Sequence, residues 1–209
     1  MIVAIDGPSA SGKGTLARRI AEHFGYAHLD TGKIYRAIGR AVVRAGGDPA
    51  DPAAALEAAT ALDPASLDDP ALGGDEAARA ASQVALMQPV RDQVLDFQRQ
   101  FAERPPGGAE GAVLDGRDIG TVVCPAAHVK LFVTASDEVR AERRHKELLE
   151  RGEAPIYARV LQEMRERDAR DTKRDVAPLR PAEDAFVLDT SDLDADAAFA
   201  AALEFIEAR

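Results

Sequence analysis

The sequence predicts an α/β fold with a mostly parallel sheet. Short apolar runs rich in β-branched residues alternate along the chain with longer stretches whose apolar residues recur at helical spacing. Strands that alternate with helices are typical of parallel sheets covered by helices. The chain has 209 residues, a length that suits one large domain with its own hydrophobic core.

The predicted strands are short and end in turn residues. The first, residues 1–7, ends in Asp-Gly and suits a buried parallel strand. Four further runs predict strands, at 26–30, 111–116, 128–133 and 185–189.

Helical periodicity fills the intervals between the strands. The helix predicted over 13–25 carries Leu16, Ile20 and Phe24 on one face and ends at Gly25. Further helices are predicted over 32–45, 88–103, 137–151, 156–173 and about 194–208.

Residues 46–75 have a different composition. They include nine alanines, six aspartates and four prolines. Proline at such intervals interrupts regular structure, so this segment predicts short helices and turns rather than strands. We therefore interpret residues 41–108 as a helical insertion between the second and third strands and not as an independent domain.

The charge of the chain limits its partners. The formal net charge is −10, which disfavours binding to nucleic acid polymers or anionic membranes. Residues 140–174 hold eleven basic against eight acidic residues, a mixture that by itself is typical of a solvated helix face. With Cys124 as the only cysteine, no membrane-length apolar run and no signal-like start, we expect a cytoplasmic protein.

The segment GPSASGKGT nearly matches the phosphate-loop pattern G-x-x-x-x-G-K-[ST]. A strand precedes it and an amphipathic helix follows, so successive backbone N–H groups and the helix start can form an anion cradle. This context disfavours the alternative of a simple glycine-rich turn with a solvated lysine. The predicted phosphate-binding residues are Gly7, Pro8, Ser9, Ala10, Ser11, Gly12, Lys13, Gly14 and Thr15.

Candidate binding residues also follow the second and third strands. Thr31, Tyr35 and Arg36 lie at or near a helix start, which suits a second phosphate site, although a helix cap with a surface arginine is the alternative. Asp115 ends an apolar run, a usual place for a carboxylate that orients Mg²⁺ or its water. Beside it, Arg117 and Asp118 can bind a phosphate and an exocyclic amine, or simply stabilise a turn as a pair.

The segment ERDARDTKR brings more charge to one helix face. Arg167, Asp171 and Arg174 are spaced i, i+4 and i+7. The segment also contains TKRD (172–175), which matches the base-reading motif of GTPase switches. That motif should follow an apolar strand, and here it ends a charged helix, so we interpret the match as coincidence.

These motifs, together with AASQV (80–84), resemble in order those of bacterial cytidylate kinases over most of the chain. The resemblance implies a P-loop kinase core of five parallel strands (1–40 and 109–209), a helical monophosphate-binding insertion (41–108) and a short lid (148–158). The Lys-Gly-Thr sequence that ends the segment GPSASGKGT is the form found in nucleoside-monophosphate kinases. In other members the insertion contains extra strands, whereas residues 60–80 lack any β-like run.

The resemblance also implies roles for individual residues. Lys13, Arg117, Arg167 and Arg174 would act in catalysis. Thr31 and Arg36 would contact the acceptor monophosphate, with Arg117 near it, and Tyr35 would belong to the same substrate site. Ser82, Arg91 and Asp118 would read cytosine, Arg167 and Asp171 would contact ribose, and Arg174 would contact a phosphate. Arg143, Arg144 and Arg151 would border the lid. With Gly14 after Lys13 we expect no direct protein ligand to Mg²⁺, and Asp115 could act through water.

The implied reaction is transfer of the ATP γ-phosphate to CMP or dCMP in pyrimidine metabolism. ATP and Mg²⁺ are the implied cofactors, small nucleotides the implied partners, and a monomer the default state. Two alternatives stay open from the residues alone: a kinase of the same fold acting on UMP, AMP or a small metabolite, and a nucleotide-dependent switch without phosphotransfer.

Overall fold

The computed structural model describes all residues from Met1 to Arg209 and contains one five-stranded parallel sheet. The strands are β1 (Ile2–Asp6), β2 (Ala27–Asp30), β3 (Ala112–Gly116), β4 (Val129–Thr134) and β5 (Phe186–Asp189). Their order is β2-β3-β1-β4-β5, with β1 in the centre. The α/β prediction and all five predicted strands are confirmed.

Eight α-helices accompany the sheet. They are α1 (Lys13–Phe24), α2 (Thr31–Arg44), α3 (Pro52–Thr60), α4 (Asp75–Val84), α5 (Gln88–Glu103), α6 (Asp137–Glu150), α7 (Tyr157–Lys173) and α8 (Ala195–Glu207). The end of α1 shows the predicted glycine stop: Gly25 is left-handed, with φ 66°, and the Tyr26 N–H donates to Ala21 O at 2.8 Å. No helix is both long and apolar enough to cross a bilayer.

The chain divides into two compact units. Unit 1 comprises residues 1–29 and 105–209 and carries the sheet, and unit 2 comprises residues 30–104 and is helical. The predicted lid, 148–158, covers the end of α6, the start of α7 and the exposed connection between them. The boundaries assigned to the insertion and the lid stay predictions.

The main core of unit 1 lies between the sheet and the helices α1 and α8. Val3, Ile5 and Leu131 of the sheet pack with Ile20 of α1 and Ile206 of α8, and all are 2% exposed or less. Each such side chain contributes about 1.5–3 kcal/mol by its burial. A smaller cluster of Ala141, Leu148, Val160 and Met164 joins α6 to α7. The central strand that precedes the phosphate loop is therefore held rigidly.

A repeated Asp-Pro-Ala tripeptide shapes the first half of unit 2. In each copy the aspartate side chain accepts a hydrogen bond of 2.8–2.9 Å from the alanine N–H two residues later. The donor and acceptor pairs are Ala50 and Asp48, Ala53 and Asp51, Ala65 and Asp63, and Ala71 and Asp69. Proline at the first helical position suits this geometry because its fixed φ is already helical. The predicted short helices and turns are confirmed, and no strand forms between residues 31 and 104.

Candidate functional site

Residues 7–15 form the turn between β1 and α1. Gly7 has φ 153°, and a β-carbon there would lie 2.0 Å from Val133 O of β4. Gly12, with φ 90°, immediately precedes the first residue of α1. The loop can pass this close to the sheet and turn into the helix only because both positions are glycine, and its N–H groups and helix start form the ingredients of an anion cradle.

Lys13 folds back over this loop. Its Nζ donates to Pro8 O at 3.2 Å, so the ammonium group lies at the loop and not in open solvent. Thr15 Oγ1 accepts from Arg18 Nη2 at 3.4 Å and keeps its own proton for a further acceptor. The turn therefore places a mobile cation and a hydroxyl donor beside the same set of backbone amides.

Arg140, which the sequence analysis did not single out, supports the loop from α6. Its side chain is 4% exposed and donates to Ser9 O at 3.2 Å and to Ala135 O at 3.0 Å. Arg140 also pairs with Asp168 of α7 at 2.7 Å. One buried guanidinium thus connects the phosphate loop with the helix that carries Arg167.

A cavity of about 370 Å³ opens beside the loop in unit 1. Its lining includes Ser11 and Thr15 of the loop region and Arg143 of α6. Arg143 donates to Thr190 Oγ1 at 3.0 Å and to Thr190 O at 2.7 Å, and burial lowers its pKa from the ordinary arginine value. The cavity has a volume typical of small-molecule sites, and Arg143 lies in its wall.

Asp115 lies at the end of β3, against the phosphate loop. A β-carbon on Gly14 would be 3.8 Å from its Oδ2, and the residue is 2% exposed. The same oxygen is 2.9 Å from Nε2 of His28 on β2, a contact in which the imidazole N–H donates to the carboxylate. His28 was not among the predicted site residues, and it fixes the orientation of a carboxylate that was.

Four predicted residues meet in a buried cluster after β3 and at the end of α7. Arg117 Nε donates to Asp171 Oδ2 at 3.0 Å, and Arg174 Nη2 lies 3.7 Å from Asp118 Oδ1. Burial alone would raise the pKa of Asp171, but the charges of Arg117, Arg167 and Arg174 outweigh it and hold that pKa below the ordinary aspartate value. The four side chains, with Arg167 near enough to act on Asp171, form an arginine-rich cluster that suits phosphate binding.

In unit 2 the predicted residues are on α2, α4 and α5. Thr31 is the first residue of α2, and the Arg91 guanidinium lies over the Tyr35 ring at 5.6 Å from its centroid. Arg36 Nη1 donates to Leu72 O at 3.1 Å. Ser82 is 5% exposed and its Oγ makes no hydrogen bond within the protein, as expected of a hydroxyl kept for a ligand.

Sequence reasoning also missed Asp6, the last residue of β1. Its carboxylate accepts from the backbone N–H groups of Ile119 and Gly120, at 2.7 and 2.8 Å. The signal that pointed to Asp115, a carboxylate directly after an apolar run, is equally present at Asp6. Arg140 gave no such signal, because its neighbours in sequence are mostly charged.

Comparison with known proteins agrees with this geometry. The family model described as cytidylate kinase matches residues 3–208. A cytidylate kinase of Paramagnetospirillum magneticum is 66% identical over 205 residues, which are 98% of this chain and 97% of that protein. One of Rhodospirillum rubrum is 60% identical over 206 residues, covering 99% of this chain and 97% of that protein.

Solved structures support the fold alone, because their sequences are distant. An uncharacterized protein from Eubacterium ventriosum superposes with a TM-score of 0.59 at 14% identity, covering 100% of this chain and 99% of that one. TT1252 from Thermus thermophilus gives a TM-score of 0.53 at 21% identity, with 100% and 96% coverage.

Proposed function

The chain belongs to the cytidylate kinase family, and from this premise we propose that the residues described above transfer the γ-phosphate of ATP to CMP or dCMP, giving CDP or dCDP and ADP. The observation that carries the proposal is the buried cluster of Arg117, Asp118, Asp171 and Arg174, in the same unit as the loop with Lys13. A kinase for UMP, AMP or a small metabolite, or a switch without phosphotransfer, is not favoured.

The donor side is built from the loop and the cavity beside it. We propose that the backbone N–H groups of residues 7–15 bind the ATP phosphates, that Lys13 neutralises the β- and γ-phosphates, and that Thr15 donates to the α-phosphate. The cavity walled by Arg143 and Thr190 would take the adenosine. Phosphoryl transfer needs position and charge stabilisation more than covalent help, so these backbone and cationic groups suffice.

The acceptor phosphate and sugar need cations of their own. We propose that Thr31 and Arg36 contact the phosphate of CMP, with Arg117 near it and Tyr35 in the same substrate site. Arg167 and Asp171 would contact ribose, and Arg174 would bind a phosphate at the reaction centre. The position of Asp171 supports this assignment, because it holds the Arg117 guanidinium in place before any substrate arrives.

The base is read by polar groups that are already buried. We propose that Ser82, Arg91 and Asp118 recognise cytosine. Asp118 is 5% exposed, and a buried carboxylate accepts the cytosine amine but faces a uracil carbonyl without a hydrogen bond. The hydrogen-bonding capacity left on Ser82 Oγ is consistent with such a role.

Mg²⁺ enters the proposal as a companion of ATP. When bound, it would neutralise phosphate charge during transfer. The buried Asp115 carboxylate lies against the loop at Gly14 and is oriented by His28, which suits a residue that holds a metal-bound water. Because Gly14, and not a residue with a hydroxyl group, follows Lys13, we propose no direct protein ligand to the metal.

The proposal is tested by coupled ADP release with a panel of nucleoside monophosphates. We expect turnover with CMP and dCMP to exceed that with UMP and AMP. Slow ATP hydrolysis that is independent of any acceptor would instead indicate a switch.

Two further proposals concern the state of the chain and its predicted lid. We propose that the chain is a cytoplasmic monomer and that residues 148–158 close over bound nucleotide as a lid. Light scattering at several protein concentrations tests the monomer, and protection of residues 148–158 from proteolysis when both nucleotides are present tests the lid.

A further inference from the structure

Asp6 has no part in the functions assigned so far, although it is buried directly before the phosphate loop. It is 3% exposed, and its two carboxylate oxygens accept from two successive backbone N–H groups, those of Ile119 and Gly120. These N–H groups begin the helical turn of residues 119–123, whose preceding residue, Asp118, provides no side-chain cap. Asp6 therefore caps this turn from a strand 113 residues away in sequence.

The capped turn follows directly after two of the predicted substrate residues. Arg117 and Asp118 are two positions and one position before Ile119, and each is paired with a charge near the end of α7. The fit around Gly120 is close: a β-carbon there would lie 3.4 Å from Asp6 Oδ2 and 3.2 Å from Lys130 Cδ. The turn has little room to move while both hydrogen bonds to Asp6 are present.

We propose that Asp6 is a positioning residue for the acceptor side of the reaction: its carboxylate fixes the backbone of residues 119–120 and, through it, the places of Arg117 and Asp118. This clamp, made of the two hydrogen bonds from the Ile119 and Gly120 N–H groups to Asp6, lies entirely within unit 1. Only its effect on CMP rests on the proposed function.

The charges around Asp6 make the clamp sensitive to pH. Burial raises the pKa of Asp6 to about 7, against the two backbone hydrogen bonds and the charge of Arg117, which lower it, while Asp118 raises it further. From β4, Lys130 lies with its stem against Gly120 and its ammonium paired with Asp184 at 2.9 Å. The charges of Arg117 and Asp118 are in turn paired with those of Asp171 and Arg174.

Ionised Asp6 accepts from both N–H groups, whereas protonated Asp6 has one oxygen committed to its own proton. The clamp is therefore complete above pH 7 and loosens as the pH falls through about 7.

The first test is Asp6→Asn, with Asp184→Asn as the matched control. Asparagine keeps the shape but must turn its NH₂ toward one of the two backbone donors. We expect the KM for CMP at pH 8 to rise about tenfold and the KM for ATP to change less than about twofold, since one buried donor is left unpaired. Asp184→Asn removes a carboxylate near the same turn without touching the two N–H groups, and both KM values should stay within about twofold.

The pH profile separates positioning from simple structural support. The wild-type KM for CMP should rise between pH 8 and pH 6 by more than it does in Asp6→Asn, and comparing the two variants cancels the titration of the substrate phosphate, whose pKa is about 6. Equal rises in the KM for CMP and ATP in Asp6→Asn would overturn the proposal, and so would parallel pH profiles.

A second measurement needs no enzymatic activity. Amide hydrogen exchange of residues 117–121 in the wild-type protein, corrected for intrinsic rates, should show less protection at pH 6 than at pH 8, and in Asp6→Asn at pH 8 it should be about tenfold faster. Unchanged protection in the wild type would contradict the clamp. A wild type that fails to phosphorylate CMP would contradict the proposed function and leave the exchange result as an independent test of Asp6.

Discussion

The two regions of unit 1 that we propose to bind phosphates are built in opposite ways. The phosphate loop uses backbone amides of consecutive residues, and its lysine contact, from Lys13 to Pro8, spans five positions. The arginine cluster uses side chains that come from distant parts of the chain, with Arg117 and Asp171 separated by 54 positions. The loop is thus a local structure, whereas the cluster exists only when the residues after β3 and the end of α7 are brought together.

Removing the single cation of the loop should have the largest effect. Lys13→Met is expected to lower kcat by about 10³-fold with the fold intact, because a positioned charge on the transferring phosphate is lost. Steady-state kinetics with ATP and CMP measure it. Lys146→Met, which changes a lysine 79% exposed on α6, is the control and should behave as wild type. Near-normal turnover in Lys13→Met would remove the lysine from catalysis.

Breaking the cluster should cost less, because its charges are shared. Asp171→Asn leaves three neighbouring guanidinium groups without their common carboxylate, and kcat/KM for CMP should fall by about 10²-fold. Asp175→Asn, at an exposed position four residues later, is the control. If the two variants lose activity equally, the buried pair does not organise the site.

The same carboxylate links the cluster to acid stability. The pKa of Asp171 is held below its ordinary value, so the stability it contributes is present above the unfolded aspartate pKa and is lost as the pH falls through the folded one. Wild type and Asp171→Asn should therefore converge in unfolding free energy toward low pH, as measured by denaturant titration at several pH values.

Base selection should respond to a change in one member of the cluster. In Asp118→Asn the preference for CMP over UMP is expected to fall by about tenfold or more, because the amide can donate to the uracil carbonyl that the carboxylate repels. The readout is the ratio of kcat/KM for the two acceptors. An unchanged ratio would assign base reading elsewhere.

The smallest effect is expected at Thr190, in the cavity proposed for ATP. Thr190→Val removes the hydroxyl that accepts from Arg143 and donates to Ser11 O or Thr134 O. The KM for ATP should rise about threefold while the KM for CMP is unchanged, since one neutral hydrogen-bonding group is lost. Ser191→Ala, next in sequence and bonded instead to Asp189, is the control.

The contrast between the regions also explains what the sequence could predict. The loop, the five strands and the glycine that ends α1 are local features, and periodicity with turn chemistry located them. Asp6 lies in a recognisable position, but its partners are more than 100 residues away and no spacing rule connects them. The Arg117–Asp171 pairing likewise depends on a tertiary contact between the segment after β3 and α7.

Arg140 and Arg143 show the limit of charge patterns. Both lie in the stretch of mixed charge that is typical of a solvated helix face, yet Arg140 is buried and Arg143 lies in the wall of the cavity beside the loop. Which arginine of an amphipathic helix turns inward is decided by the acceptors that tertiary packing presents, here Ser9 O and Thr190 O. A sequence contains no direct record of those carbonyl groups.

Gly7 limits how this loop could be moved or redesigned. Val133 O of the neighbouring strand β4 occupies the space that a side chain at residue 7 would need, because a β-carbon there would lie only 2.0 Å from that oxygen. Even alanine at residue 7 forces apart two paired strands, so a saturation library at this position reports on the sheet before it reports on nucleotide binding. Grafting GPSASGKGT onto another scaffold would have to carry β4 with it, which makes the strand pair, and not the loop, the smallest transferable part.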